Sequence, residues 1–175
     1  MKNNKEKLHD LILKKNLSHE EMEEFKRISL KDSWKIIGNW KDIGARAELK
    51  KVAYNFQSIG KRIQHAINSQ CYIEAISLRL ILIEIVLRLF LKNKGENLAN
   101  KTPRELQFGS LLGDIKRHDF DSKLFERLED FNKKRIEAIH NFVYQGSEYN
   151  SFFSFIVKTD NLATDVWDYC VKSIK

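Results

Sequence analysis

Arg135 and His140, five residues apart in "NKKRIEAIHNFVY" (132–144), are the two side chains whose types and spacing best suit chemistry. A guanidinium offers a planar fork of donors to phosphate oxygens, and an imidazole transfers protons in both directions near neutral pH. Lys133, Glu137 and Tyr144 lie on the same helical line as His140, at spacings of seven, three and four. A cation, an acid, a base and a phenol along one line make a candidate phosphate-handling surface. At about 100° per residue, however, Arg135 and His140 stand roughly 140° apart round a helix, so they do not stack as an i, i+4 pair. A site using both needs Arg135 to reach round, or a second chain to contribute.

The helix that positions them is amphipathic. Leu124, Leu128, Phe131, Arg135, Ala138 and Phe142 recur at steps of three or four and form one core-facing stripe. Arg135 therefore stands where an apolar residue is due, and a buried unpaired charge would cost several kcal/mol, on the order of a sizeable part of total stability. One partner is Glu84, the only acid in "LRLILIEIVLRLFL". The alternative is that Glu84 pairs with Arg88, one turn later on its own helix. The two do not exclude each other.

The rest of the chain supplies the frame. With 42% hydrophobic residues, 31% charged residues, one proline and seven glycines, the composition excludes disorder and most all-β architectures. The expectation is an all-α fold: a bundle of four to five long helices, residues 45–175, preceded by a helical N-terminal extension, residues 1–44. In the extension, "EKLHDLILKKN" suggests a short helix, Ser18 and Glu21 fit a capping box, and Trp34 and Trp40 are the expected docking points. The domain then reads as a long helix from about Ala45, weakened at Gly60, and a central apolar helix from about Tyr72 to Leu91, closed by Gly95. Thr102 and Pro103 predict the start of a short helix, and "FGSLLGDIKR" a second. The motif helix is capped by Asp121 or Ser122 and closed by Gly146. A last helical stretch, in one piece or two, runs to the end of the sequence.

The formal charge of +7 favours anionic partners without identifying one. "MKNNKEKLHD" lacks an apolar leader, and Arg79, Glu84 and Arg88 interrupt the most apolar run, so the expectation is a cytoplasmic protein with no membrane span. Cys71 and Cys170 read as reduced packing residues, and His9, His19, His65 and His118 as surface residues in polar surroundings without partners at ligand spacing. Gly-rich phosphate loops, GxSxG elbows and cysteine–histidine clusters are missing, which leaves nucleotide hydrolysis, esterase chemistry and zinc binding without support.

"RLEDFNKKRIEAIHNF" resembles the signature helix of the HEPN superfamily, in which an arginine is followed after four to six residues by a histidine, here Arg135-IEAI-His140. The resemblance extends over the helical order from about residue 45 to 175. It implies a metal-independent RNA endonuclease of a toxin or antiphage-defence type, with no cofactor. It also implies a homodimer whose two motifs form one composite cleft, and an antitoxin or other defence-system protein as a possible partner class. By the same resemblance Arg135 holds the scissile phosphate and His140 performs acid–base catalysis, with Glu84, Glu137, Tyr144 and Lys133 in support. Two positions depart from the family pattern. Ile136 follows the arginine where many members carry a polar residue, and Phe142 stands where one toxin branch carries a modifiable tyrosine. Two other readings stay open: a non-catalytic HEPN-like module for dimerisation or for RNA or protein binding, and a di-metal bundle using Glu137-x-x-His140 and Glu6-x-x-His9.

Overall fold

The computed structural model describes residues 18, 20, 43–145 and 149–173, with the side chains at 43–49, 141 and 143–145 excepted. The expected helices of the extension, Trp34, Trp40 and Gly146 lie outside them. Every regular element described is helical: α1 (Ile43–Asn68), α2 (Tyr72–Asn93), a 3-10 turn (Leu98–Asn100), α3 (Phe108–Ile115), α4 (Ser122–Gln145), α5 (Ser151–Lys158) and α6 (Leu162–Ser173). The last stretch is thus two helices.

Helix α2 is central. It packs along α1 over most of its length and also touches α3, α5 and α6. Its sequence allows this because apolar residues point in nearly every direction: Ala75, Ile76, Leu82, Ile83, Val86, Leu87, Phe90 and Leu91 are all buried. Trp167 from α6 and Phe108, Phe131 and Phe152 from α3, α4 and α5 complete the core, each under 2% exposed. Full burial of each large side chain contributes roughly 1.5–3 kcal/mol. Among the described residues, no helix is long and apolar enough to cross a membrane.

The helix ends follow from local chemistry. Gly95, at φ +87°, closes α2: its N–H donates to the Lys92 carbonyl at 3.1 Å, and the Glu96 N–H reaches the Leu91 carbonyl at 3.0 Å. This left-handed closure favours glycine because a Cβ there strains the backbone. Asp121 caps α4, its Oδ1 accepting from the Leu124 N–H at 2.7 Å.

The helix expected from Thr102 does not form. Its capping box does: Glu105 Oε2 accepts from the Thr102 N–H at 2.8 Å and from the Thr102 hydroxyl at 2.7 Å. Only one turn follows, and α3 starts at Phe108 after an extended Gln107. The carbonyls that a helix would use are committed elsewhere. Arg88 Nη2 donates to the Leu106 carbonyl at 2.9 Å, and the Ser110 hydroxyl to that of Arg104 at 3.2 Å.

The junction of α5 and α6 is built on a buried charge. Arg79 of α2, 3% exposed, donates through Nη1 to the Ile156 carbonyl at 2.7 Å and to the Thr159 hydroxyl at 2.6 Å. Burial lowers its pKa to about 10, and Asp160 acts in the opposite sense, so the guanidinium stays charged at neutral pH.

Candidate functional site

The stripe of α4 faces the core as the periodicity predicts. Leu124, Leu128 and Phe131 are buried, and Ala138 and Phe142 pack half-buried against the same cluster. Phe131 lies between α3 and α5, 6.0 Å edge-on from the Phe108 ring and 5.4 Å stacked from that of Phe155.

Arg135 is half-buried on this stripe. Its Nη2 donates to Asn132 Oδ1 at 3.0 Å, and its guanidinium carbon lies 6.0 Å from the centre of the Phe108 ring. Its buried Nε–H has no hydrogen-bond partner among the described residues. Burial draws the guanidinium below its ordinary pKa, and the Glu84 carboxylate pushes it back up.

Both partners considered for Glu84 act on it, in different ways. Arg88 Nη2 contacts its carboxylate directly at 3.4 Å, and Arg135 acts on it through space. The Phe108 backbone N–H, in the first turn of α3, also donates to it. Burial dominates, holding the carboxyl above its usual range against these three influences. The guanidinium is therefore partly neutralised at rest, while part of its donor fork stays unspent.

His140 is exposed, on the outer surface of α4. The helix holds it roughly 140° from Arg135, so one chain does not bring the two to a common point. Ile136, 50% exposed, stands between them on the helix surface. Lys133 and Glu137 form a loose pair at 3.9 Å, both largely in solvent. The side chain of Tyr144 lies outside the described residues. Phe142 packs inward, with ring contacts to Tyr149 and Phe152 at 5.6 Å each.

Several residues escaped the sequence reading. Asn132 braces Arg135 from one turn earlier, a spacing visible in the sequence but without an apolar pattern to flag it. Glu137 turns into an open cleft of about 260 Å³ between α4 and α5, shared with Lys134, Ala138, Ser151, Ser154, Phe155 and Lys158. His118 is no isolated surface residue: it is half-buried, with Nε2 3.0 Å from Glu96 Oε1. Glu96 also meets Lys101 and Arg117 at 3.5 Å each, and these two contact Asp114 at 2.5 and 2.7 Å. This network ties the segment after α2 to α3.

Among the described residues, no three His, Cys, Asp or Glu side chains converge as metal ligands, so Glu137-x-x-His140 gains no further ligand there. No family model, no curated protein and no solved structure matches the chain.

Proposed function

We propose that the chain is a HEPN-type, metal-independent RNA endonuclease of toxin or defence type. In this reading two copies pair so that the Arg135 of each α4 and the His140 of each α4 share one composite cleft. The observation that carries it is Arg135: a guanidinium set among core residues, braced by Asn132 and within the field of the Glu84 carboxylate, with a buried Nε–H unspent among the described residues. Arg88 shares the unpartnered Nε–H, but Arg79 and Arg88 each donate to a backbone carbonyl, of Ile156 and of Leu106, whereas the one hydrogen bond of Arg135 among the described residues goes to the Asn132 side chain.

The chemistry follows from the two residue types. Arg135 holds the scissile phosphate through its fork and stabilises the charge that builds on the phosphoryl oxygens. The ribose 2′-oxygen attacks phosphorus as its proton passes to the neutral imidazole of one His140, and the bond to the 5′-oxygen breaks as that oxygen takes a proton from the protonated imidazole of the second copy's His140. The products are a 2′,3′-cyclic phosphate and a 5′-hydroxyl. DNA, with no 2′-hydroxyl, binds without being cut. Lys133, Glu137 and Tyr144 support the surface around His140.

A second reading has its own observation. Ile136 is 50% exposed between the two proposed catalytic residues, and Phe153 in "SFFSFIV" is 39% exposed. Apolar side chains there suit a non-catalytic module that dimerises or binds RNA or a protein partner.

RNA cleavage in EDTA by wild type, Arg135→Ala and His140→Ala separates the two. Cutting by wild type that vanishes in both variants supports the nuclease. Equal cutting by His140→Ala refutes it, and a folded dimer that cuts none of a varied RNA set favours the binding module.

A further inference from the structure

The cleft between α4 and α5 lies on the opposite flank of α4 from Asn132, and neither proposed catalytic residue lines it. Its polar lining is dominated by donors. Lys134 and Lys158 contribute two ammonium groups, and Ser151 and Ser154 two hydroxyls, while Ala138 and Phe155 form an apolar wall. Among the described residues Glu137 is the one acid lining it, and Lys133 stands 3.9 Å from that carboxylate. Lys134 is held by Asp130 at 2.6 Å, whereas Lys158 has neither a hydrogen-bond nor an ion-pair partner among the described residues. Among the described residues, the cleft is therefore a net positive, donor-rich recess with the Lys158 ammonium unused.

Size narrows the occupant. Sites that enclose a whole small molecule span roughly 300–1,000 Å³. At about 260 Å³ and open to solvent, this recess suits a smaller group that remains attached to something larger. Lysine and serine side chains are typical donors to backbone phosphates, contacts that set the register of a bound strand without reading its sequence. The apolar wall can take the edge of a sugar.

We infer that the α4–α5 cleft, through Lys134, Lys158, Ser151 and Ser154, is a docking subsite for a backbone phosphodiester of a bound single-stranded nucleic acid. The inference rests on the proposed function in taking RNA as the partner. It adds that a strand crosses the outer face of α4, a helix roughly 10–12 Å across, between this subsite and the Arg135 and His140 side. The subsite meets phosphate and not the 2′-hydroxyl, so it holds RNA and DNA alike.

The test is the salt dependence of binding, measured by fluorescence anisotropy in the full chain. The His140→Ala background keeps the strand whole, and fluorescein-labelled single-stranded RNA and DNA of one sequence are the probes. Each lost lysine–phosphate contact lowers the slope of log K against log salt by roughly 0.7 for single strands. Lys134→Ala/Lys158→Ala is expected to lose roughly 1.4 from the slope for both probes, and Lys158→Ala alone about half of that. Both lysines are exposed, and circular dichroism confirms that the variants fold. An unchanged affinity and slope in the double variant overturns the subsite and leaves the nuclease reading standing. Inorganic phosphate that shifts the Ser151 and Ser154 amide resonances while the RNA slope stays at its wild-type value also overturns it, in favour of a small-anion site. Loss of slope in a chain that cuts no RNA supports the subsite and removes only the nuclease chemistry. Failure of the chain to bind either probe overturns both.

Discussion

Replacing Arg79 by methionine tests the strongest single anchor of the α5–α6 junction. The side chain is fully buried, and the fall of its pKa from 12.5 to about 10 corresponds to roughly 3 kcal/mol against the charged form. Against this stand two charge-assisted hydrogen bonds, at 2.7 and 2.6 Å, each contributing roughly 1.5–3 kcal/mol. On those figures the arginine itself comes out between neutral and modestly stabilising. The variant is costly for a different reason. Methionine removes the short, charged donor from the Ile156 carbonyl, which keeps the longer bonds from the Thr159 N–H at 3.3 Å and the Thr159 hydroxyl at 3.4 Å, and it takes the nearby cation from the half-buried Thr159 hydroxyl and Asp160. Breaking a buried ionic arrangement from one side costs roughly 3–5 kcal/mol. For a chain of this length each kcal/mol lowers Tm by roughly 2–4 °C, so the expected loss is roughly 6–20 °C. Urea unfolding gives the free energy, and amide exchange should show the end of α5 opening first. Arg79→Lys keeps a charge but not the planar fork, and should fall between the two. A methionine variant that melts no lower than wild type would refute the reasoning, showing that the desolvation cost cancels everything that the guanidinium holds.

Acid should weaken the chain through Glu96, whose carboxyl is held below its ordinary range first by the His118 hydrogen bond and then by Lys101 and Arg117. A depressed carboxyl contributes stability that is complete above its unfolded pKa, about 4.3, and is lost as pH falls through the lower folded value. Urea midpoints should therefore decline as pH drops below about 4.3, and Glu96→Gln should flatten part of that decline. The two thiols should differ in reactivity. Cys71 is exposed, whereas Cys170 is buried and its thiol pushed far up. A thiol reagent should modify one cysteine promptly in the native chain and the second only on unfolding, and prompt double modification would contradict the packing of α6.

What could be read from the sequence was what repeats locally. The apolar run of α2, the stripe from Leu124 to Phe142, the Gly95 closure and the Asp121 cap each lie within a few residues of the signal that reveals them. Arg135 and Glu84 stood out for the same reason, as charges interrupting an apolar pattern. The unread parts join distant segments. No spacing rule connects Lys134 to Lys158, His118 to Glu96, or Arg79 to the end of α5. At Thr102 the signal was sound and its use was not foreseen. The capping box closes a single turn because Arg88, eighteen residues before Leu106, takes the carbonyl of that residue.

Phe131 has a consequence for how α4 is set about its own axis. Its ring meets Phe108 of α3 at 80° on one side and Phe155 of α5 at 18° on the other. A ring gripped from two directions resists rolling as well as sliding, which fixes the clocking of the whole helix. Neighbouring side chains differ by about 100° in heading. A roll of that size one way or the other would replace Arg135 on the core side with Ile136 or Lys134 and would move the cleft lysine off its wall. The inward guanidinium and the outward imidazole are thus one setting of one dial, and a phenylalanine with no chemistry of its own is the detent.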